Sequence, residues 1–263
     1  MNQTVLPNGL QICEINKHET KFVYKEIFVD RVYDRHNISL DRNAIVFDVG
    51  ANIGLFALYA SLNFPQVKLY CFEPAPHCRE VLSLNVARFG EDAKVIGAAL
   101  GAAPGELEFT YYPNNTIMSS LVADLDRDQR AVAASLQAEY ELRSGERIEE
   151  RFLSTLVAKK LEHGVRFKCP VTTISSVMDA ENISRISLAK IDVECAESLV
   201  LDGIEDRHWD RIDHFVIEVH DQGADEPRKM RDRIEAKNFD VELFKAPILV
   251  ESDIYELSAK RRR

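Results

Sequence analysis

The stretch from Ala44 to Phe64, AIVFDVGANIG followed by LFALYASLNF, constrains the fold of this 263-residue chain more than any other. A short apolar, β-favouring run ends in a turn punctuated by glycines, and an apolar segment long enough for a buried helix follows, stopped before Pro65. The plan is strand, tight loop, helix. VKLYCFEPAP (Val67 to Pro76) repeats it, with a β-rich run ended by an acid and two prolines, and Val81, Leu82, Val86 and Phe89 mark the next helix face. KVIGAALG (Lys94 to Gly101) reads as a third strand. The later half resumes with ISLAKIDVE (Ile186 to Glu194), a short helix to Gly203, DHFVIEVH (Asp213 to His220), a helix opened by Pro227 with Met230 and Ile234 inward, and the strands FDVELFK and DIYELSAK. Such alternation predicts an α/β domain built on a parallel sheet buried on both faces.

Two segments lie outside the alternation. Asn16 followed by Glu19 forms a capping box, and Val23, Tyr24, Ile27, Phe28 and Val32 fall at helical spacing, so one amphipathic helix is expected to about Tyr33. Between the halves, ELEFTYY reads as a strand, and Asp124 to His163 is charged and helix-favouring, interrupted only at Ser144-Gly145. That segment is too long for a connection and is expected to be a helical insertion, either a lid over a cleft or a solvated decoration.

Composition removes several function classes. Forty-three acidic against thirty-three basic residues give a formal net charge of −10, a poor basis for wrapping a polyanion, so no nucleic-acid partner is expected. The longest uncharged stretch, Val49 to Val67, is broken by glycine, asparagine, serine and proline and does not read as a membrane span. The N-terminus lacks the pattern of a secretory signal, which places the protein in the cytoplasm by expectation. Cys13, Cys71, Cys78, Cys169 and Cys195 are odd in number and widely spaced, which suits neither a disulfide scaffold nor structural zinc.

The first loop carries Asp48, Gly50, Asn52 and Gly54, a D-x-G-x-N-x-G arrangement whose glycines let backbone approach a ligand at the carboxyl edge of the sheet. Asn52 and the spacing do not fit the G-x-G-x-x-G of a dinucleotide site, which argues against a nicotinamide-dependent oxidoreductase. An early carboxylate at Asp48 suits a cationic ligand instead. Glu73, nineteen residues after Gly54, stands where an acid takes both ribose hydroxyls. These features favour S-adenosyl-L-methionine as cofactor.

VFDVGANIG, YCFEP, KIDVECAE and FVIEVH resemble the FkbM-family methyltransferases, and the segment from Leu6 to Phe28 is similar to O-methyltransferase domains of polyketide and nonribosomal peptide assembly lines. The resemblance implies a class I, Rossmann-like methyltransferase fold: a mostly parallel sheet, helices on both faces, the last strand antiparallel, with an N-terminal helical cap and a helical insertion. It implies a single domain over 1–263, divided into the cap (1–43), a cofactor-binding half (44–118), the insertion (119–165) and a catalytic half (166–263). It places Asp48, Gly50, Asn52, Gly54 and Glu73 around the cofactor, and a hydroxyl of a secondary metabolite, plausible as a carrier-tethered intermediate, as the acceptor. Cys195 departs from the family's glycine; its side chain either reshapes the substrate pocket or is tolerated where φ is negative.

Methyl transfer to a hydroxyl needs an acceptor held in line and a base for its proton. His220 is the expected base, with Glu194 orienting it or binding substrate and Asp192 near the cofactor amino group or the acceptor. Asp192, Glu194, Glu197, Glu218, His220 and Asp221 could also ligate Mg²⁺, but metal-free base catalysis is the expectation. Glu26, Phe28 and Tyr33 could close over the methionine end, and Asn114, Asn115, Ser119 and Ser120 could touch adenine or acceptor. N-methylation, a diffusible acceptor, and a non-catalytic docking module remain open. For carrier docking, Arg143, Arg147, Arg151, Lys159 and Lys160 could form a basic patch, or simply solvate their helices.

Overall fold

A computed structural model describes residues 2–36, 38–64, 66–88, 92–221, 223, 225–245 and 254–262. Phe89, Pro65 and Asp253, used above in reading element ends and faces, lie outside the described residues, as does Arg263. The chain opens on a hairpin the sequence did not announce, β1 (Asn2–Val5) and β2 (Gln11–Glu14), turned through Gly9 at φ +86°. Asn16 caps α1 (Lys17–Tyr24), accepting from the His18 N–H and donating its side-chain amide to Glu19. The single helix expected to Tyr33 ends sooner. It loosens into a π-helical turn at Lys25–Val29, and Arg31 at φ +53° interrupts it before a 3₁₀ turn at Val32–His36. A residue in left-handed backbone cannot continue a right-handed helix. Tyr24 and Ile27 remain buried all the same.

β3 (Ile45–Val49), α2 (Leu55–Asn63), β4 (Lys68–Phe72), α3 (Pro76–Arg88) and β5 (Asp92–Ile96) follow as two βα units and a strand. The expected strand from Lys94 to Gly101 is split. The chain leaves the sheet at Gly97, where a Cβ would stand 2.9 Å from the Arg79 guanidinium, and resumes as β6 (Ala99–Leu100) in another sheet. There β7 (Gly105–Tyr111) and β8 (Val165–Thr172) complete a three-stranded sheet of order β6-β8-β7. Between them stand α4 (Leu125–Ser144), capped by the Asp124 carboxylate, and α5 (Glu150–Leu161). Gly145 at φ +73° ends α4, and Val132, Val157, Leu161 and Tyr112 form a small core of their own.

α6 (Ile174–Ala180), β9 (Leu188–Ile191), α7 (Glu197–Asp202), α8 (Asp206–Trp209), β10 (His214–His220), α9 (Glu226–Glu235), β11 (Phe239–Phe244) and β12 (Ile254–Arg261) complete the chain. The main sheet has the order β11-β12-β10-β9-β3-β4-β5, with β12 antiparallel to both neighbours and its other pairings parallel. This is the sheet of a class I methyltransferase.

Period-two alternation sends Phe47, Tyr70, Phe72, Ala189 and Ile217 to one face, under α6, α7 and α9, and Val46, Leu69, Cys71, Leu188 and Val216 to the other, under the N-terminal segment, α2 and α3. Each fully buried valine, leucine, isoleucine or phenylalanine among them contributes about 1.5–3 kcal/mol. Among the described residues no helix is long and apolar enough to cross a membrane.

Candidate active site

The carboxyl ends of β3, β4 and β9 surround a cleft of about 670 Å³, open to solvent, whose lining includes Gly50, Asn52, Glu73, Asp192 and Glu194. Gly50, at φ +79°, lies so close to the end of β9 that a Cβ would fall 1.8 Å from the Asp192 carbonyl oxygen. Only glycine fits. Glu73 Oε2 accepts from the Asn52 N–H (2.9 Å) and Oε1 from the Ala75 N–H (2.8 Å). Each oxygen therefore keeps room for a further donor from the cleft, and burial, opposed by those two N–H groups, raises the carboxyl to about 7.

Asp48 and Gly54 are not among the residues lining the cleft. Gly54, at φ +92°, packs against Leu82 at the start of α2. Asp48 is fully buried under the loop, its Oδ1 3.4 Å from Lys190 Nζ, so it faces a lysine of this chain where a cationic ligand was expected. Lys190 also donates to the Gly50 carbonyl (3.0 Å) and stands 3.3 Å from Asp192 Oδ2. Burial alone would lower its pKa, but Asp192 and Asp48 outweigh that and hold it above the ordinary lysine value. Sequence reasoning overlooked Lys190. The available signal was a charge inside an apolar run buried on both faces, where only a paired charge is tolerated.

His220, at the end of β10, is met by three carboxylates rather than one. Its Nδ1 lies 3.2 Å from Glu197 Oε1, and its Nε2 lies 3.2 Å from Glu194 Oε2 and 3.5 Å from Glu218 Oε1. Burial acts to lower the imidazole pKa, yet Glu194 and Glu197 raise it well above its usual value, while burial raises both Glu194 and Glu218. The charges of Glu194, Glu218 and His220 therefore depend on one another. One ligand atom from each of Glu194, Glu218 and His220 falls within 4.8 Å of the others, a spacing a divalent cation can bridge. Asp221 instead closes the following turn through the Gly223 N–H.

A second, smaller pocket, about 280 Å³ counting the solvent it opens to, lies under the N-terminal segment, lined by Glu26, Tyr33, Lys190, Asp192, Glu218 and Glu256 among others. Burial first, then Asp192 and Glu256, raise the Glu26 carboxyl to about 7. Asp192 borders both cavities, and His220 bridges Glu194 of the first and Glu218 of the second. Ser119 lines the first cavity, and Ser120 Oγ donates to the Glu194 carbonyl (2.5 Å), holding that turn in place. Asn114 binds the Lys159 carbonyl, away from the lining. Thr116, which sequence reasoning passed over, lines the cleft beside Asn52.

Glu194 and Cys195 sit at φ +53° and +73°. The negative φ that would have accommodated the cysteine is therefore not what the backbone adopts, and a Cβ is carried in glycine's region. Burial pushes the Cys195 thiol up to about 11, so it is not a thiolate nucleophile near neutral pH.

Residues 48–241 match the methyltransferase FkbM domain. The chain is 35% identical to the 31-O-demethyl-FK506 methyltransferase FkbM of Streptomyces tacrolimicus, covering 97% of this chain and 95% of that one. It is 36% identical to the methyltransferase sdnD of Sordaria araneosa, over 88% of this chain and 86% of that protein. The AMB antimetabolite synthetase AmbE of Pseudomonas aeruginosa is 34% identical over 97% of this chain, which spans only 12% of that synthetase. A glycine loop on the edge of a methyltransferase sheet, and a match running from Asp48 through β10 into β11, thus agree: the chain belongs to the FkbM methyltransferase family.

Proposed function

We propose that the protein is an S-adenosyl-L-methionine-dependent O-methyltransferase acting on a hydroxyl of a natural-product intermediate, carrier-tethered or diffusible. The observation that carries the reading is that His220, which lines neither cavity itself, contacts Glu194 of the first and Glu218 of the second. The first cavity fits the cofactor: Gly50 leaves room for close backbone approach, and Glu73 offers one free acceptor position on each oxygen. When bound, the cofactor supplies an already activated methyl group.

This chain's residues do the rest. Glu73 holds the ribose hydroxyls, the second cavity holds the acceptor under Glu26 and Tyr33, and the Glu194–His220–Glu218 cluster takes the acceptor's proton on His220 Nε2 or a carboxylate oxygen. Glu197, hydrogen-bonded to Nδ1, fixes the ring. As the acceptor hydroxyl displaces Glu194 from Nε2, the Nε2 proton passes to the Glu194 or Glu218 carboxylate, both of which burial raises, and leaves a neutral ring to act as base.

N-methylation is the second reading. Four carboxylates, Glu26, Asp192, Glu218 and Glu256, line the acceptor cavity against one lysine, a lining that suits a protonated amine. The two are separated by intact mass spectrometry of a carrier protein loaded with a β-hydroxyacyl or an aminoacyl chain, incubated with S-adenosyl-L-methionine, with and without EDTA. One added methyl on the hydroxyacyl carrier, kept in EDTA and lost in His220→Ala, supports metal-free O-methylation. Loss in EDTA transfers the Glu194–Glu218–His220 cluster to a metal. Methylation of the aminoacyl carrier alone, with His220→Ala little affected, favours the amine. Cofactor binding without turnover on either carrier or on free alcohols favours a docking module.

A further inference from the structure

Glu19 sits on α1, outside both cavity linings and 6% exposed, yet its carboxylate is the anchor of a continuous hydrogen-bond path into the cofactor loop. Oε2 accepts from both the N–H (3.0 Å) and the hydroxyl (2.7 Å) of Thr116, and Oε1 accepts from the Asn16 amide (2.6 Å). With its proton committed to Glu19, the Thr116 hydroxyl can only accept from a third group, and Asn52 Nδ2 donates to it at 3.0 Å. Asn52 holds φ +46°, a strained position whose peptide orientation decides where its N–H points. That N–H donates to Glu73 Oε2.

The path is therefore Glu19, Thr116, Asn52, Glu73, with donor and acceptor roles fixed at each step. A second tie runs beside it. Asn85, buried on α3, donates to the carbonyls of Cys13 on β2 and Ile53 in the loop, and accepts from the Cys13 N–H. The N-terminal segment thus grips the loop from two sides, although the two are far apart in sequence.

We propose that Glu19 is a positioning residue of the cofactor site. Through Thr116 it locks the Asn52 peptide in the orientation that holds Glu73 ready for its ligand, so the N-terminal segment sets cofactor affinity without touching the cofactor. The affinity part rests on the cofactor reading above; the ordering of the loop does not.

Two measurements on the full chain test it. Hydrogen exchange of the amides of residues 51–54 is followed by mass spectrometry in ligand-free protein, and S-adenosylhomocysteine affinity is measured by calorimetry. Glu19→Ala and Thr116→Val are expected to speed exchange and weaken affinity by about tenfold each, the worth of one charge-assisted hydrogen bond. Thr116→Ser, which keeps the hydroxyl, restores both. Val157→Ala in the α4–α5 core serves as a control that lowers the melting temperature while leaving exchange at 51–54 unchanged. Wild-type exchange at 51–54 in Thr116→Val, or Thr116→Ser behaving as Thr116→Val does, overturns the proposal. If Glu19→Ala does not fold, the Thr116 pair decides it. If the wild type does not bind S-adenosylhomocysteine, the cofactor reading fails while the exchange data still decide the ordering role.

Discussion

Replacing Lys190 by methionine removes the cation that the fold places between two carboxylates, Asp48 and Asp192, under the glycine loop after β3. Lys190 is 5% exposed and Asp48 fully buried, with Nζ 3.4 Å from Asp48 Oδ1 and 3.3 Å from Asp192 Oδ2. At an effective dielectric near 20, each contact is an attraction of about 5 kcal/mol before the cost of desolvating the ammonium, and removal of one partner of such a buried pair typically costs about 3–5 kcal/mol. The carboxylates differ in what they do next. Asp192 borders both cavities and can be hydrated, whereas neither oxygen of Asp48 has a hydrogen-bond partner to replace the lysine.

Burial already raises Asp48 above the ordinary carboxylate range, so without Lys190 it takes up a proton still more readily. A carboxyl whose folded pKa is raised destabilises the fold as pH rises through that pKa. The loss in Lys190→Met should therefore be largest near pH 8, shrink toward about pH 5, and be substantially recovered in Lys190→Met/Asp48→Asn. Urea unfolding at several pH values measures each term. A single variant costing less than about 1 kcal/mol near pH 8, or a double variant no more stable than the single, refutes the reasoning.

Removal of the His220 ring in His220→Ala is expected to lower methyl transfer by about 10²–10⁴-fold with S-adenosylhomocysteine affinity little changed; an equal loss in affinity would make the ring a binding group instead. On the proposed reading, ligand hydroxyls donate to the ionised form of Glu73, so affinity for S-adenosylhomocysteine should fall as pH drops through about 7, by up to about tenfold per unit below it, and Glu73→Gln should abolish that dependence. Calorimetry over that range reads it directly. Cys195→Gly relieves left-handed backbone that costs a side chain about 1–3 kcal/mol, less about 0.5–1 kcal/mol of added unfolded-chain entropy, so urea unfolding should register a net gain of stability.

The strands of the main sheet, the tight loop after Val49 and the acid ending β4 were readable because their signals are local. Apolar runs between turn residues, glycines where backbone must bend, and a carboxylate at a strand end all act within a few positions of themselves. Where a local signal met a competing one, the reading slipped. Gly97 sits inside an apolar run that looks continuous, yet the room it leaves for Arg79 marks where the chain changes sheets. The helical stripe after Asn16 is real, but Arg31 in left-handed backbone ends what the stripe alone would have prolonged.

The chemistry of the site was less legible. His220 and Glu194 were found as neighbours through their strand ends, but that the ring would meet Glu197 and Glu218 as well depends on how β9, α7 and β10 lie against one another. Asp48 was legible as an acid beside the loop, and its partner was not, because Lys190 arrives from a strand inserted beside β3 only when the sheet assembles. Glu19 read as the partner of the capping Asn16, and it accepts that residue's side-chain amide, while its hold on Thr116 spans 97 positions of chain. The amino-acid sequence alone thus determined the main-sheet strands, the glycine loop after β3 and the acid that ends β4, since those are set by periodicity and backbone freedom. Which charges neutralise one another, and which distant side chain holds the loop in register, was decided only by tertiary structure, because the energy of a buried charge or an oriented peptide belongs to the neighbours that folding brings to it.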